Sequence, residues 1–169
     1  EIVIGDWSSD VCSSDLLVSM CLAVMLVGGL SLTSMLEVKA AENKVIDGSE
    51  LTHENESIGY DTKITRGVDL MAGYSKCTKL GEGKIYAGGT TIAAHVVNSV
   101  QVGVLVERAK EDDTEWSYYD GWQKENLNMN RVTSNRTLYV EGGYYYRVRC
   151  THAANSDMSS SFTGGIYID

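Results

Sequence analysis

The sequence predicts an all-β protein: an antiparallel β-sandwich over residues 68–169, preceded by an N-terminal hydrophobic signal helix and a flexible leader. Three observations lead there. Short segments rich in β-formers recur between Gly-rich turns after residue 68. Val100, Val102, Val104 and Val106 share one face at period two. No segment after residue 40 sustains a helical period, and several short strands without helices favour two packed sheets.

The elements follow in chain order. Asp6-Trp7-Ser8-Ser9-Asp10-Val11-Cys12-Ser13-Ser14-Asp15-Leu16 resembles a sequencing-library adapter translated in one frame. Residues 1–16 are therefore read as an artefact and set aside with Trp7 and Cys12. Leu17 to Leu36 then carries no charge, which no amphipathic surface helix would show. Its length suits a membrane anchor, but Gly28-Gly29 and the Ser and Thr after it leave an apolar centre of signal-peptide size. Val38 and Ala40 supply the small residues a signal peptidase admits, so cleavage is expected between Ala40 and Ala41. Residues 17–40 are thus a signal peptide, with a retained anchor as the alternative. Cys21 opens the apolar run instead of ending it, which argues against a lipoprotein signal.

Residues 41–67 are polar and acidic with isolated apolar positions, and read as a flexible leader. From Val68 the β pattern begins. Leu70, Ala72 and Tyr74 alternate with Asp69, Met71 and Gly73. Lys84 to Ala87 is bounded by Gly83 and by Gly88-Gly89. The strand from Val100 to Arg108 ends at the charged turn Lys110 to Thr114. Trp116, Tyr118 and Asp120 alternate before Gly121 and Trp122. Leu138 and Val140 precede the turn Glu141-Gly142-Gly143, Tyr144 to Cys150 follows, and Ser156 with Ser159 to Ser161 makes a turn before a last strand between Phe162 and Ile168. Seven or eight short strands are expected in all.

Composition excludes some functions. From residue 41 onward, thirteen Lys and Arg stand against eighteen Asp and Glu, a net charge of −5. Such a chain is a poor ligand for nucleic acid or for anionic lipid, so membrane contact is expected only through an uncleaved signal. Cys77 and Cys150 form an even pair, which in an exported chain suggests a disulfide, with two buried thiols as the other reading. Closing that loop of about seventy residues would stabilise by roughly 4 kcal/mol. Zinc lacks a second Cys pair and has only His53, His95 and His152 to draw on, so no metal and no cofactor is expected.

Leu138 to Arg149 resembles the corner of immunoglobulin-like and fibronectin type III sandwiches, where a Tyr near a strand start hydrogen-bonds back to the preceding turn. Tyr144 or Tyr146 would take that part. A wider likeness rests on Gly88-Gly89-Thr90-Thr91, Val104 to Arg108, Trp116, Gly143-Tyr144-Tyr145-Tyr146-Arg147-Val148-Arg149 and Thr163 to Ile168. Over about residues 68–169 the chain resembles a family of small exported Firmicutes proteins, clostridial ones in particular. That resemblance implies a Gram-positive source and secretion, and brings no activity or catalytic residue.

Candidate sites are few. Cys150, His152 and Asp157 hint at a nucleophile and base, but Cys150 is in phase with Tyr146 and Val148 and reads as buried. Glu111, Asp112, Asp113 and Glu115 lack the spaced oxygens and Gly of a calcium loop. Aromatic residues cluster in the second half, and Tyr145 alternates with Arg147 and Arg149 on what reads as the more polar face. An outward strip of Trp116, Tyr118, Trp122, Tyr145, Arg147 and Arg149 would stack on sugar rings or grip a protein partner; the alternative is cross-strand pairing within a sheet. The expectation is a secreted, extracellular, non-enzymatic module that binds a cell-surface glycan or protein. The alternative is a secreted antimicrobial or toxin-like factor acting on neighbouring cells, which without an amphipathic helix would need a receptor.

Overall fold

A computed structural model describes residues 43–61 and 67–169, and residues 42–169 form one compact unit. The adapter-like residues 1–16, the expected signal peptide 17–40 and the expected Ala40–Ala41 cleavage point lie outside the described residues. The fold is all-β. Its strands are β1 Val45–Ile46, β2 Ser49–Thr52, β3 Glu56–Tyr60, β4 Leu70–Gly81, β5 Lys84–Ala109, β6 Ser117–Tyr139, β7 Tyr144–Ala154, β8 Asp157–Phe162 and β9 Gly165–Ile168. Pairing runs unbroken through one curled sheet in the order β1-β2-β9-β7-β5-β4-β3, with β6 added to β5 and β8 to β7. The sheet is mixed because β2 lies parallel to β9; the other pairs are antiparallel.

Strand β5 creates the curl. It is 26 residues long. Its first half pairs with β4 and the end of β6, and its second half with β7 and the start of β6. Between Ile92↔Arg131 and Val97↔Met129 the ladder slips, leaving four residues of β5 opposite Asn130. An extra stretch of this kind bends the strand and steepens its twist. The bend brings β4 and the first half of β5 over β7, and glycines permit the contact. A Cβ on Gly73 would stand 2.3 Å from the His152 ring, and one on Gly89 would stand 2.4 Å from Cys150 Sγ. Gly88-Gly89, expected to bound a short strand, instead lies within β5 because the approaching chain leaves no room for a side chain. Two expected strands are therefore one, and six strands, not seven or eight, follow residue 68.

The main core sits inside the curl. Val100, Val102, Val104 and Val106 are all buried there, as their period predicts, together with Ile85, Val148 and Ile166. On β4 the predicted phase inverts. A register slip between Leu70 and Ala72 keeps Leu70 buried but then sends Gly73, Ser75 and Cys77 inward while Tyr74 is only half-buried. Ser159 to Ser161, expected in a turn, belong to β8 and pair with β7.

Residues 43–61, expected to be a flexible leader, contribute three strands. Asp47 (φ 45°) and Gly48 (φ 77°) form the two-residue turn of a β1–β2 hairpin. Both central residues at positive φ match the turn that suits right-twisted strands, for which Asp-Gly is a preferred sequence. The hairpin buries Ile46 and Leu51 in a second, smaller core with Ala109 and Tyr145. That core covers the outer face at the start of β7.

The disulfide between Cys77 and Cys150 is absent; both thiols are free and buried. They point to different carbonyls, Cys77 donating to Tyr146 O and Cys150 to Gly88 O, each at 3.8 Å. Burial pushes both thiols up to about 12, so neither is a thiolate at neutral pH.

Candidate functional site

The side chains that alternate with the core valines of β5 form the outer face of β6, β5 and β7. Register lays them out in rows: Tyr118–Glu107–Arg147, Gly121–Leu105–Arg149 and Gln123–Gly103–Thr151. Five of the six residues expected to form a binding strip meet on or beside this face, Trp122 being the exception, but the strip is not continuous. Its upper part is covered. Its lower part is open.

Under the β1–β2 hairpin, Tyr145 is 5% exposed and Arg147 0%. This corrects the expectation of an outward Tyr145 and Arg147: a second layer of chain makes both faces of β7 interior here. Arg147 is held on every side. Its Nε donates to Glu107 Oε2 at 2.7 Å, its Nη1 to Ser49 Oγ at 2.9 Å and to Asp47 O at 3.1 Å, and its Nη2 to Asp47 Oδ2 at 2.8 Å. The guanidinium lies 4.6 Å from the Trp116 ring centroid, and Trp116 Nε1 donates to Ile46 O. A buried charge persists only when its hydrogen bonds are met, and these contacts meet them. The same hydrogen bond from Arg147, with the charges of Arg147 and Arg149, holds the Asp47 carboxyl below its ordinary range.

Below the hairpin the face opens into a groove of about 440 Å³ lined by Gly103, Leu105, Tyr118, Gly121, Gln123, Arg149 and Thr151, and bordered by Val104 and Trp122. Gly103 and Gly121 add no side chains to its floor, where Leu105 lies beside Gly121 and Thr151 beside Gly103. Tyr118 stands over it 68% exposed. Arg149, half-buried, sends Nη2 to Asp47 Oδ2 at 2.5 Å, while its Nε lies 3.4 Å from Glu107 Oε2 without a hydrogen bond. Asp47 therefore bridges the covered Arg147 and the groove-lining Arg149. Trp122 sits opposite the inward Val104 and packs on the main core. Its Nε1 donates to Ser134 Oγ and Arg136 stacks on its ring at 4.6 Å. Its indole therefore serves the core edge, not the outer strip.

The other candidates are also placed. Cys150 and His152 are both buried between the layers, and Asp157 accepts from the backbone N–H groups of Asp69 and Leu70. His152 Nδ1 meets Thr91 Oγ1 at 2.9 Å and its Nε2 meets Ser161 Oγ at 2.8 Å. Burial lowers its pKa to about 4. In the 110–115 turn, Asp113 accepts from Lys110 N, and Lys44 Nζ donates to the Glu111 and Asp113 carbonyls. Among the described residues no three His, Cys, Asp or Glu side chains gather into a metal-binding group.

Sequence reasoning missed Asp47, Ser49 and Glu107. The Asp47-Gly48 turn signal would have found the first two, because it marks a hairpin within the polar segment. Glu107, inside a valine-rich strand opposite Arg147, carried no comparable mark. Comparison of the chain with protein-family models, curated proteins and solved structures found no significant match.

Proposed function

We propose that this is a secreted, non-enzymatic binding module working at or outside the cell envelope of a Gram-positive bacterium, of the family of small exported Firmicutes proteins that its sequence resembles. The apolar run of residues 17–36 supports export, and the Tyr146 hydroxyl, which donates to Glu141 O at 2.8 Å, supports an immunoglobulin-like or fibronectin-like sandwich. One observation carries the binding reading: an exposed Tyr118 and a half-buried Arg149 flank a groove floored by Gly103, Leu105 and Gly121. An apolar floor of Gly and Leu, an aromatic wall and hydrogen-bonding groups at Gln123 and Thr151 suit a sugar ring, which stacks by its apolar face and bonds by its rim.

The test is binding of the protein to arrays of cell-surface glycans and cell-wall fragments, with Tyr118→Ala beside it. Tyr118→Ala is expected to lower affinity about tenfold, since truncating a central aromatic anchor commonly costs 1 kcal/mol or more. Equal binding by both proteins to every bound glycan would refute the reading.

A further inference from the structure

Resting on the groove reading above, we propose that its ligand is an acidic saccharide, and that Asp47 is an internal carboxylate which the ligand's own carboxylate displaces from Arg149. Arg149 is the cation that lines the groove, and it already holds a carboxylate in the manner a ligand would be held. Asp47 Oδ2 sits 2.5 Å from its Nη2 on an otherwise exposed side chain, at 64% exposure. Asp47 does not depend on this bond for its place, because Arg147 Nη2 grips the same oxygen at 2.8 Å from beneath the hairpin. Arg149 can therefore change partners while the β1–β2 hairpin stays down. Its Nε is buried 3.4 Å from Glu107 Oε2, so the side of the guanidinium left for a ligand is its Nη groups, the ones that Asp47 now holds. Guanidinium and carboxylate match as planar partners, which favours a carboxylate over a neutral hydroxyl at this position.

The neighbouring groups select the rest of the ligand. Tyr118 offers a ring face about one row from Arg149, and Thr151 and Gln123 lie on the next row. A saccharide with a ring carboxylate presents a stackable face, an anionic edge and hydroxyls in one flat unit. A volume near 440 Å³ holds a unit or two of this kind. An acidic peptide side chain would offer the carboxylate without the face that Tyr118 receives.

The experiment is calorimetric titration with three probes: a glucuronate-bearing disaccharide, its methyl ester and the neutral glucose counterpart. The acid is expected to bind about tenfold or more tightly than either neutral probe, as a charge-assisted hydrogen bond contributes. Asp47→Asn keeps the turn, since Asn-Gly suits the same positive-φ hairpin, and removes the internal competitor. It is expected to tighten the acid by up to about fivefold, the worth of an exposed ion pair, and to leave the ester unchanged. Arg149→Lys is expected to remove most of the preference for acid over ester. Equal affinity for acid and ester, or no binding of the acid, overturns this proposal. So does tightening of the ester together with the acid in Asp47→Asn. Loss of both probes in Tyr118→Ala would still uphold the groove reading. Unchanged binding in Tyr118→Ala would sink both, and selective binding of acidic peptides would give the groove to a protein partner instead.

Discussion

Acidification from pH 7.5 to 5.0 acts on this fold chiefly through one buried imidazole. Thr91 Oγ1 donates to Gln101 O at 2.8 Å, so it receives the Nδ1 proton of His152, and Nε2 is left to accept from Ser161 Oγ. Both nitrogens are thereby satisfied in the neutral ring. His152 is 0% exposed and its pKa falls to about 4, against 6.5 in the unfolded chain. Between those values the unfolded chain binds the extra proton and the fold refuses it. Stability is therefore fully present above pH 6.5 and declines as the pH falls toward 4. At pH 5.0 the accumulated loss is about 2 kcal/mol, and the urea midpoint should drop by about 1 M. The carboxyls of Asp47, Glu56 and Asp169, each lowered by partners, act in a different window. Their contribution is present above unfolded values of 3.8 to 4.5 and is lost only below them. Urea unfolding at half-unit pH steps, run in parallel on His152→Asn, isolates the imidazole because all other groups cancel in the difference. The variant should lose most of the slope between pH 6.5 and 5.0. Matching slopes in the two proteins, or an NMR titration of His152 centred near 6.5, would refute the reasoning.

Three further outcomes follow from the packing. Gly73→Ala should destabilise by about 1–3 kcal/mol in urea unfolding, because its Cβ would meet the His152 ring at 2.3 Å; a mid-strand glycine without that neighbour would gain stability from Ala instead. Tyr146→Phe should cost about 1 kcal/mol by thermal or urea unfolding, the worth of its hydroxyl bond to Glu141 O, and Tyr144→Phe should cost less. Arg147→Met should cost about 3–5 kcal/mol because it leaves Glu107 buried beside Arg149 alone; adding Glu107→Gln should recover a measurable part, and strict additivity of the two changes would count against the pair.

Local periodicity was readable where one face meets a single core. The valines of β5 and the Tyr146 corner belong to that class, since each depends on neighbours within a few residues along the strand or turn. Positions decided by distant chain were not readable. Gly88 and Gly89 look like turn residues until Cys150, sixty residues on, comes to rest against Gly89. Leu70 to Tyr74 alternates cleanly in sequence, but the slip at Met71 reverses the phase to suit the corner where Leu70 pairs with Ala93. Residues 43–61 lacked a period because the buried Ile46, Ser49 and Leu51, among others, fill gaps over a face built about a hundred residues later.

The candidate site shows the same division, and its two halves explain each other. Tyr145, Arg147 and Arg149 alternate as an outward strip should, and without the β1–β2 hairpin they would form one. The hairpin buries only the first two; its turn touches Arg149 through Asp47 and leaves that side chain half-buried. What it covers becomes a rigid base: Arg147 is fixed by Glu107, Asp47 and Ser49 against the Trp116 ring. What it leaves open is a shallow groove next to that base, with Arg149 tied to it through Asp47. A guanidinium that is already oriented loses little freedom when it binds, so the ordering done by folding lowers the cost of recognition. On the proposed reading, the hairpin that hides half of the strip is therefore the element that readies the remaining half for a ligand.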